Sequence, residues 1–370
     1  MLEVVPVLRE NVGRVFERRR RCRTAILTLL AVMVAAVAGL VVAGLLSGRD
    51  TIGGPESGPA GNGFVTRVGT QLFVDGQQFR FTGYNNYVML GCGFPQERVE
   101  GATREAFFAG LRPGSVVRVA VIPGTDLARF DAVVAAAREH GQRLVVILAD
   151  AHGYCGGREK AEGWYAEDFR GEYFDWVRTV VPRYRDDPTI AMWELINEPQ
   201  GSDTATLRAF FDAAGGLVHG LDPNHLVSSG TLQPATYGGV EAFTKLSASP
   251  GVDVVSLHEY DDIADASHHL QPAMEVAVAV DKPLMLGEWG LMAGPRGSGG
   301  EDGEGCYTFA ERAEVAKGKL AAYLDEPVVA GALYWSYTAE DVSECKLSTA
   351  QGDPLVELIR NISIPLLDTY

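Results

Sequence analysis

The chain has 370 residues, 46% of them hydrophobic and 22% charged, with a formal net charge of −16. A chain of that length buries a large core, and the composition is that of a folded protein rather than a disordered one. So acidic a body repels nucleic acid and polyuronates at every approach, whereas a neutral polymer meets no such barrier.

The charge is unevenly placed. Residues 1–23 hold seven Arg against three Glu, and residues 24–46 hold no charged side chain. An apolar run of that length fits the ~20 residues that cross a bilayer, and the basic residues before it keep the N-terminus in the cytoplasm. Ala36-Val37-Ala38 also fits a signal-peptidase site. The expectation is therefore a body outside the cell, either held at the membrane through residues 24–46 or secreted after cleavage. Residues 47–62 are rich in Gly, Pro and Ser and read as a flexible linker spanning about 20 Å. The folded body is expected over residues 63–370.

Export also suits the cysteines. Cys22 falls in the cytoplasmic segment, leaving Cys92, Cys155, Cys306 and Cys345 in an oxidising compartment. Four cysteines allow three connectivities. The pairing Cys92 with Cys155 and Cys306 with Cys345 is favoured, because the first two follow early strands and the last two follow late ones. Metal binding is the alternative, and no C-x-x-C spacing supports it.

The body opens with two short strands, Phe64 to Arg67 and Gln71 to Val74, about a turn at Gly69. From Phe79 to Tyr84 onward the pattern is apolar strand, turn, amphipathic helix. Strands are expected at Val116 to Ile122, Leu144 to Leu148, Ile190 to Ile196, Leu226 to Ser229, Val252 to Leu257, Pro283 to Leu286 and Val328 to Trp335. Between them, helical stripes run through Leu127, Phe130, Val134 and Ala137, then through Phe169, Tyr173, Trp176 and Val180, which Pro182 is expected to stop. Further helices are expected over Leu207 to Leu217, Ala264 to Val280 and Phe309 to Leu324. Fully apolar strands separated by helices imply a parallel sheet covered on its outside, and eight such units suit a closed (β/α)8 TIM barrel with a short N-terminal β-hairpin. An open doubly wound sheet is the rival. No G-x-G-x-x-G follows the first strand, which counts against it.

In such a barrel the site lies at the C-terminal ends of the strands. Those ends carry Asn85 and Asn86, Arg118, Asp150 and His152, Asn197 and Glu198, His258 and Tyr260, Glu288, and Trp335. Singly, each has a dull explanation, since a lone Asn-Glu-Pro is usually a turn and a lone His is usually surface. Together they form an ordered set. Two of them end apolar runs beside residues expected to interrupt a strand: Glu198 precedes Pro199, and Glu288 lies between Gly287 and Gly290, which are expected to turn the backbone sharply. Two carboxylates at the ends of buried strands suit acid and nucleophile roles on a glycosidic bond.

Trp193-Glu-Leu-Ile-Asn-Glu-Pro199, Gly287-Glu-Trp289, His258-x-Tyr260, Arg118, Asp150-x-His152 and Trp335 resemble glycoside hydrolase family 5, the cellulase and β-mannanase family of retaining (β/α)8 glycosidases. The resemblance spans roughly residues 64 to 340. It implies that Glu198 is the general acid/base and Glu288 the nucleophile, and that Asn197 bonds the 2-hydroxyl of the sugar being cleaved. It further implies that Arg118 and Tyr260 hold Glu288 ionised, that His152 and His258 contact sugar hydroxyls or the acid/base, and that Trp335 is the platform under the reacting ring. Asn86 belongs to the same substrate-binding set. Glu288 as an anion is then expected to keep the proton of Glu198 available at neutral pH.

Within the family, the Trp-Glu-Leu-x-Asn-Glu-Pro form and Gly83-Tyr-Asn-Asn-Tyr87 look most like β-mannanases, and Asp150-x-His152 looks more like the cellulase branch. Ala120 stands where an aromatic residue is often expected. Tyr84, Tyr87, Trp164, Tyr165, Tyr237 and Trp289 are candidate stacking surfaces for sugar. The expected activity is an endo-β-1,4-glycosidase on a neutral polysaccharide, β-mannan first and β-glucan second, working as a monomer without cofactor or metal. Two rivals from other classes are an inactive barrel that binds glycan, and a metal-dependent hydrolase built on Asp150, His152 and His258.

Overall fold

The computed structural model describes residues 63–92, 101–155, 157–260, 267–295, 306–338, 342, 344–349 and 352–365. The expected cytoplasmic segment, the apolar run 24–46 and the linker lie outside these. Among the described residues no helix is long and apolar enough to cross a membrane.

Three short strands, β1 (Val65–Val68), β2 (Gln71–Val74) and β3 (Gln77–Gln78), form an antiparallel sheet of their own, as the turn residues require. The barrel strands follow: β4 (Phe81–Asn85), β5 (Val116–Ala120), β6 (Arg143–Ile147), β7 (Ile190–Glu194), β8 (Leu226–Ser228), β9 (Val255–Glu259), β10 (Leu284–Trp289) and β11 (Val329–Tyr334). Their order is β8-β7-β6-β5-β4-β11-β10-β9, every pairing is parallel, and a further parallel bridge from Ser228 to Val254 brings the two end strands together. The eight strands expected from the sequence are all present, as a nearly closed barrel. Helices Leu127–Glu139, Glu172–Tyr184, Thr204–Leu221, Val240–Ser247, Ser267–Ala279 and Phe309–Asp325 separate them.

Side-chain alternation sorts each strand into two sets. On β5, Val117 and Val119 belong to the large core beneath the helices, whereas Val116 packs with Phe81, Val145, Met192, Met285 and Leu333 inside the barrel. Val65 and Leu72 of the hairpin join that inner cluster, so the hairpin seals the barrel at the N-terminal ends of its strands. The open end is the other one.

Two local readings are corrected. Pro182 does not stop its helix, which runs on to Tyr184. Near a C-terminus the missing N–H frees a single carbonyl, that of Arg178, and the last turn closes regardless. Nor does Gly287 end the strand: β10 continues through it to Trp289, with a register shift at Gly287 that sets Glu288 beside His258. The value of Gly287 is space: a Cβ there would stand 2.7 Å from Ser256 Oγ and 2.9 Å from His258 Nε2. The disulfides are the expected pair, Cys92–Cys155 and Cys306–Cys345, with Cα atoms 4.1 and 6.0 Å apart.

Candidate active site

The register of the barrel explains why residues far apart in sequence share one layer. Asn85 of β4 lies beside Arg118 of β5, Ile147 of β6 beside Glu194 of β7, Glu194 beside Ser228 of β8, and His258 of β9 beside Glu288 of β10. Inward-pointing positions at this level carry the polar groups.

Arg118 is the hub. Buried to 1% exposure, it spends all five of its N–H donors on protein oxygens. Nε and Nη2 donate to Glu194 Oε1 at 3.0 and 2.5 Å, Nη1 donates to Asn85 Oδ1 at 2.8 Å and to Glu288 Oε1 at 2.6 Å, and Nη2 reaches Asn197 Oδ1 at 2.7 Å. Burial alone would lower its pKa, but Glu194 and then Glu288 raise it above the ordinary guanidinium value.

Glu288 receives a second donor on its other oxygen, the Tyr260 hydroxyl at 2.5 Å. Burial and then the charge of Glu288 push that phenol well above its usual pKa, so it stays a donor. Glu198 sits at a backbone φ of +50°, and its N–H donates to Gly230 O at 2.9 Å. The left-handed backbone, costly for a glutamate, aims the side chain back over the barrel mouth. There His152 Nε2 donates to Oε2 at 2.7 Å and His258 Nδ1 to Oε1 at 2.7 Å. One ligand atom from each of Glu198, His258 and Glu288 falls within 4.8 Å of the others. The two carboxylates thus face each other across a single pocket, at a spacing that suits retention rather than inversion.

Three such groups could hold a cation. Their oxygens, however, are already served by a guanidinium, a phenol and two imidazoles, and the positive charge beside Glu288 opposes another. The donor set fits hydrogen bonding better than a metal.

The electrostatics differ from the sequence expectation. Burial alone would raise the pKa of Glu198, yet the hydrogen bonds from His152 and His258 hold it well below the ordinary carboxylate range. For Glu288, burial raises the pKa and the nearby Glu198 adds to that, against the opposing charges of His258 and Arg118. The His152 pKa is raised, first by its bond to Glu198. Of the His152–Glu198 pair, then, the proton belongs to the imidazole and not to the carboxyl.

Beside the carboxylates lies a cleft of about 290 Å³ lined by Asn85, Arg118, Asp150, Asn197, Tyr87 and Trp335. Asn197 Nδ2 donates to Asp150 Oδ1 at 3.1 Å, which fixes which way the amide faces. Tyr87 stacks on Trp335 with centroids 5.3 Å apart. Ala120 also faces the cleft, and the Cys92–Cys155 disulfide packs against it together with Ile122 and Ile147.

The nine sequence candidates divide as follows. Glu288, Arg118, Asn197 and Tyr260 form one hydrogen-bonded network and Glu198, His152 and His258 a second, the two meeting where His258 Nδ1 lies 3.6 Å from Glu288 Oε2, and Trp335 borders the cleft. Asn86 does not join them: it is fully buried, and among the described residues its side-chain atoms find no partner. Asn85 takes its place at Arg118. A one-residue error at the end of a strand exchanges the two faces, and two successive Asn gave no means to choose. Of the candidate stacking rings only Tyr87 reaches the cleft. Tyr84, Tyr165 and Trp289 are in the core, Trp164 packs among Tyr165, Phe169, Tyr173 and Phe210, and Tyr237 lies beside Phe243. Glu194, absent from the candidates, is the residue sequence reasoning missed. No signal along the chain marks it, because β7 ends at Glu194 and its place beside Arg118 follows from the register of β5, β6 and β7.

Residues 116–340 match the family model described as Cellulase (glycosyl hydrolase family 5). A stretch of 259 residues is 31% identical to mannan endo-1,4-beta-mannosidase 2 of Oryza sativa subsp. japonica, covering 56% of this chain and 58% of that protein. Mannan endo-1,4-beta-mannosidase 1 of the same plant is 27% identical over 339 residues, 72% of this chain and 75% of that one. The solved structure of an endo-1,4-beta-mannanase from Rhizomucor miehei superposes with a TM-score of 0.63 at 20% identity, covering 80% of this chain and 97% of that chain, which supports the barrel fold.

Proposed function

The chain belongs to glycosyl hydrolase family 5, and on that premise we propose that it is a retaining endo-β-1,4-glycosidase whose substrate is β-mannan. The observation that carries the reading is the pair of carboxylates within 4.8 Å, one against fixed donors and the other against imidazoles. The mannosidase relatives and the Trp193 to Pro199 motif favour mannan, and the acidic body suits a neutral polymer.

In the first step, Glu288 attacks the anomeric carbon, and the leaving oxygen takes a proton from Glu198. That proton comes across the hydrogen bond from His152, whose pKa its bond to Glu198 raises, as the sugar enters the pocket. Excluding water strengthens the desolvation that already favours a neutral Glu198. Once Glu288 is esterified its charge is gone, and Glu198 acts as base toward the water that frees the sugar. Asn197, with its amide held by Arg118 and Asp150, presents its remaining N–H to the sugar 2-hydroxyl. Trp335 with Tyr87 behind it forms the platform for the ring.

Export of the body is part of the proposal, supported by the charge-free run 24–46 and the two disulfides. Sequencing the N-terminus of the exported protein separates an anchor from a cleaved signal segment. The reaction itself is tested by incubating the enzyme with mannan, cellulose derivatives, xylan and mixed-linkage glucan and identifying the product lengths. Internal cleavage of mannan with the β-anomer retained is the expected result. Faster hydrolysis of β-glucan would move the assignment to the glucanase branch, which Asp150-x-His152 favours, and binding with no product would leave a silent barrel.

A further inference from the structure

Glu194 touches neither catalytic carboxylate, yet it is fully buried and bonded to the guanidinium that holds one of them. Its Oε1 accepts from both Nε and Nη2 of Arg118, and its Oε2 lies 3.4 Å from Ser228 Oγ. The site is built around it. A Cβ on Gly230, whose φ is +71°, would meet Glu194 Oε1 at 2.9 Å and Ile196 O at 2.0 Å. So a buried acid sits closely covered on the far side of Arg118, where a neutral acceptor would fill the same volume.

We propose that Glu194 is the resident counter-ion of the covalent intermediate, a positioning residue that acts through Arg118. The inference rests on the reading of Glu288 as the nucleophile. When Glu288 attacks, its oxygen bonds to the anomeric carbon, and the glycosidic C–O bond breaks. The electron pair leaves with the oxygen, which takes the proton of Glu198. Glu288 passes from charge −1 to 0. Arg118 then loses its partner at 2.6 Å and, without Glu194, would be a buried cation with no ion pair. With Glu194 the cluster moves from a net −1 to neutral. The charge that has to be moved is thus the excess one, and the guanidinium stays aligned for the second step, when Glu288 is released and needs Arg118 again.

The groups that face Glu288 are Arg118 from β5, His258 and Tyr260 from and just after β9, and Glu198 after β7. Glu194 modifies only the first. Removing its charge leaves the full attraction of Arg118 on Glu288, favouring the anion over the ester.

The test uses an activated 2-deoxy-2-fluoro-mannoside, which traps the glycosyl-enzyme, with mass spectrometry to locate the ester and a chase to time its release. In Glu194→Gln, which keeps one acceptor oxygen for Arg118 and puts an amide NH2 beside Ser228, trapping is expected to slow by about ten- to a hundredfold. Release from the trapped state is expected to quicken, and the acid limb of the kcat/KM profile to move to lower pH. A residue that merely supported the fold would slow both steps. Glu194→Asp, which keeps the charge at the cost of shape, should release the sugar at close to the native rate. If Glu194→Gln releases no faster than the native enzyme, or Glu194→Asp behaves like Glu194→Gln, the proposal is overturned. Failure of the native enzyme to form an ester on Glu288 would overturn the reaction assignment instead. A measurement on the native enzyme covers the case of a Gln variant that does not fold. The infrared difference between free and trapped enzyme should show one carboxylate lost and one ester gained, and a newly protonated carboxyl at Glu194 would refute the idea.

Discussion

Glu288 is held by a guanidinium and a phenol, Glu198 by two imidazoles. The first pair of donors cannot change protonation over the range in which an enzyme works, because Arg118 is raised above its ordinary pKa and burial lifts Tyr260 above its own. In the second pair His152 can, since a histidine ordinarily titrates near neutrality and its bond to Glu198 raises its pKa. The difference matches what each carboxylate has to do: a nucleophile needs a constant field, whereas an acid that becomes a base needs neighbours able to give up and take back a proton. One half of the pocket is built for fixed charge and the other for exchange.

The largest effect that could break this comparison comes from the carboxylates themselves. Glu288→Gln is expected to lower kcat on mannan by about 10⁴-fold or more with any leaving group, because no nucleophile remains. Glu198→Gln should lose comparable activity on the polymer but recover much of it in the first step on an aryl glycoside whose leaving group needs no proton. Pre-steady-state kinetics separate the two, and recovery in Glu288→Gln with none in Glu198→Gln would mean that the roles are reversed.

Next in size is Arg118→Lys. Five hydrogen bonds to four protein oxygens depend on the guanidinium fork, and an ammonium has three donors on a point charge. A loss of about 10²- to 10³-fold in kcat is expected, with little recovery on activated substrates. If Arg118→Lys instead shifted the basic limb of the pH profile, the fixed-charge half would not be as fixed as its donors imply.

How much of this was legible in the sequence depends on which rule each residue obeys. The strands were readable because both faces of each are buried, one beneath helices and one inside the barrel, so they stand as continuous apolar runs between turns. Glu198 and Glu288 were readable because a carboxylate at the end of an apolar run has no structural reason to be there. Asn85 and Asn86 were not separable, since the phase of a strand is set by partners elsewhere in the sheet. Glu194 was hidden in plain view within Trp193 to Pro199: its burial opposite Arg118 is a fact of register between β5, β6 and β7, which one strand cannot disclose. The pKa order escaped too. It follows from two histidines converging on Glu198, His152 from the loop after β6 and His258 from β9, and spacing along the chain does not encode that convergence.

The exchange side is sharpened by the histidines. His258→Ala removes a donor to Glu198 whose ring packs against Gly287, and His152→Ala removes the half-buried one. Each should cost about ten- to a hundredfold in kcat/KM on the polymer. Each should also raise the pKa of Glu198, because a hydrogen bond that stabilises its anion is gone, and so move the basic limb of the profile to higher pH. Loss of rate without that shift would assign the histidines to sugar contact alone.

The smallest effect is on stability, and its sign follows from the same pair. The folded pKa of Glu198 is depressed, so its contribution is present above the ordinary carboxylate range and lost as pH falls through the folded value. The folded pKa of His152 is raised, so its contribution is full below the ordinary histidine value and lost as pH rises through the folded one. The ion pair therefore stabilises the fold within a window bounded by both, roughly pH 5 to 6.5 at full strength. Comparing thermal unfolding of the native protein with that of His152→Gln across pH should give a difference greatest in that window and fading above neutrality. Its size should be about 1 kcal/mol at most, since both side chains keep some contact with solvent. A difference that stays flat from pH 5 to 9 would mean that the His152–Glu198 bond carries no ionic character, and the contrast between a fixed half and an exchanging half would lose its exchanging member.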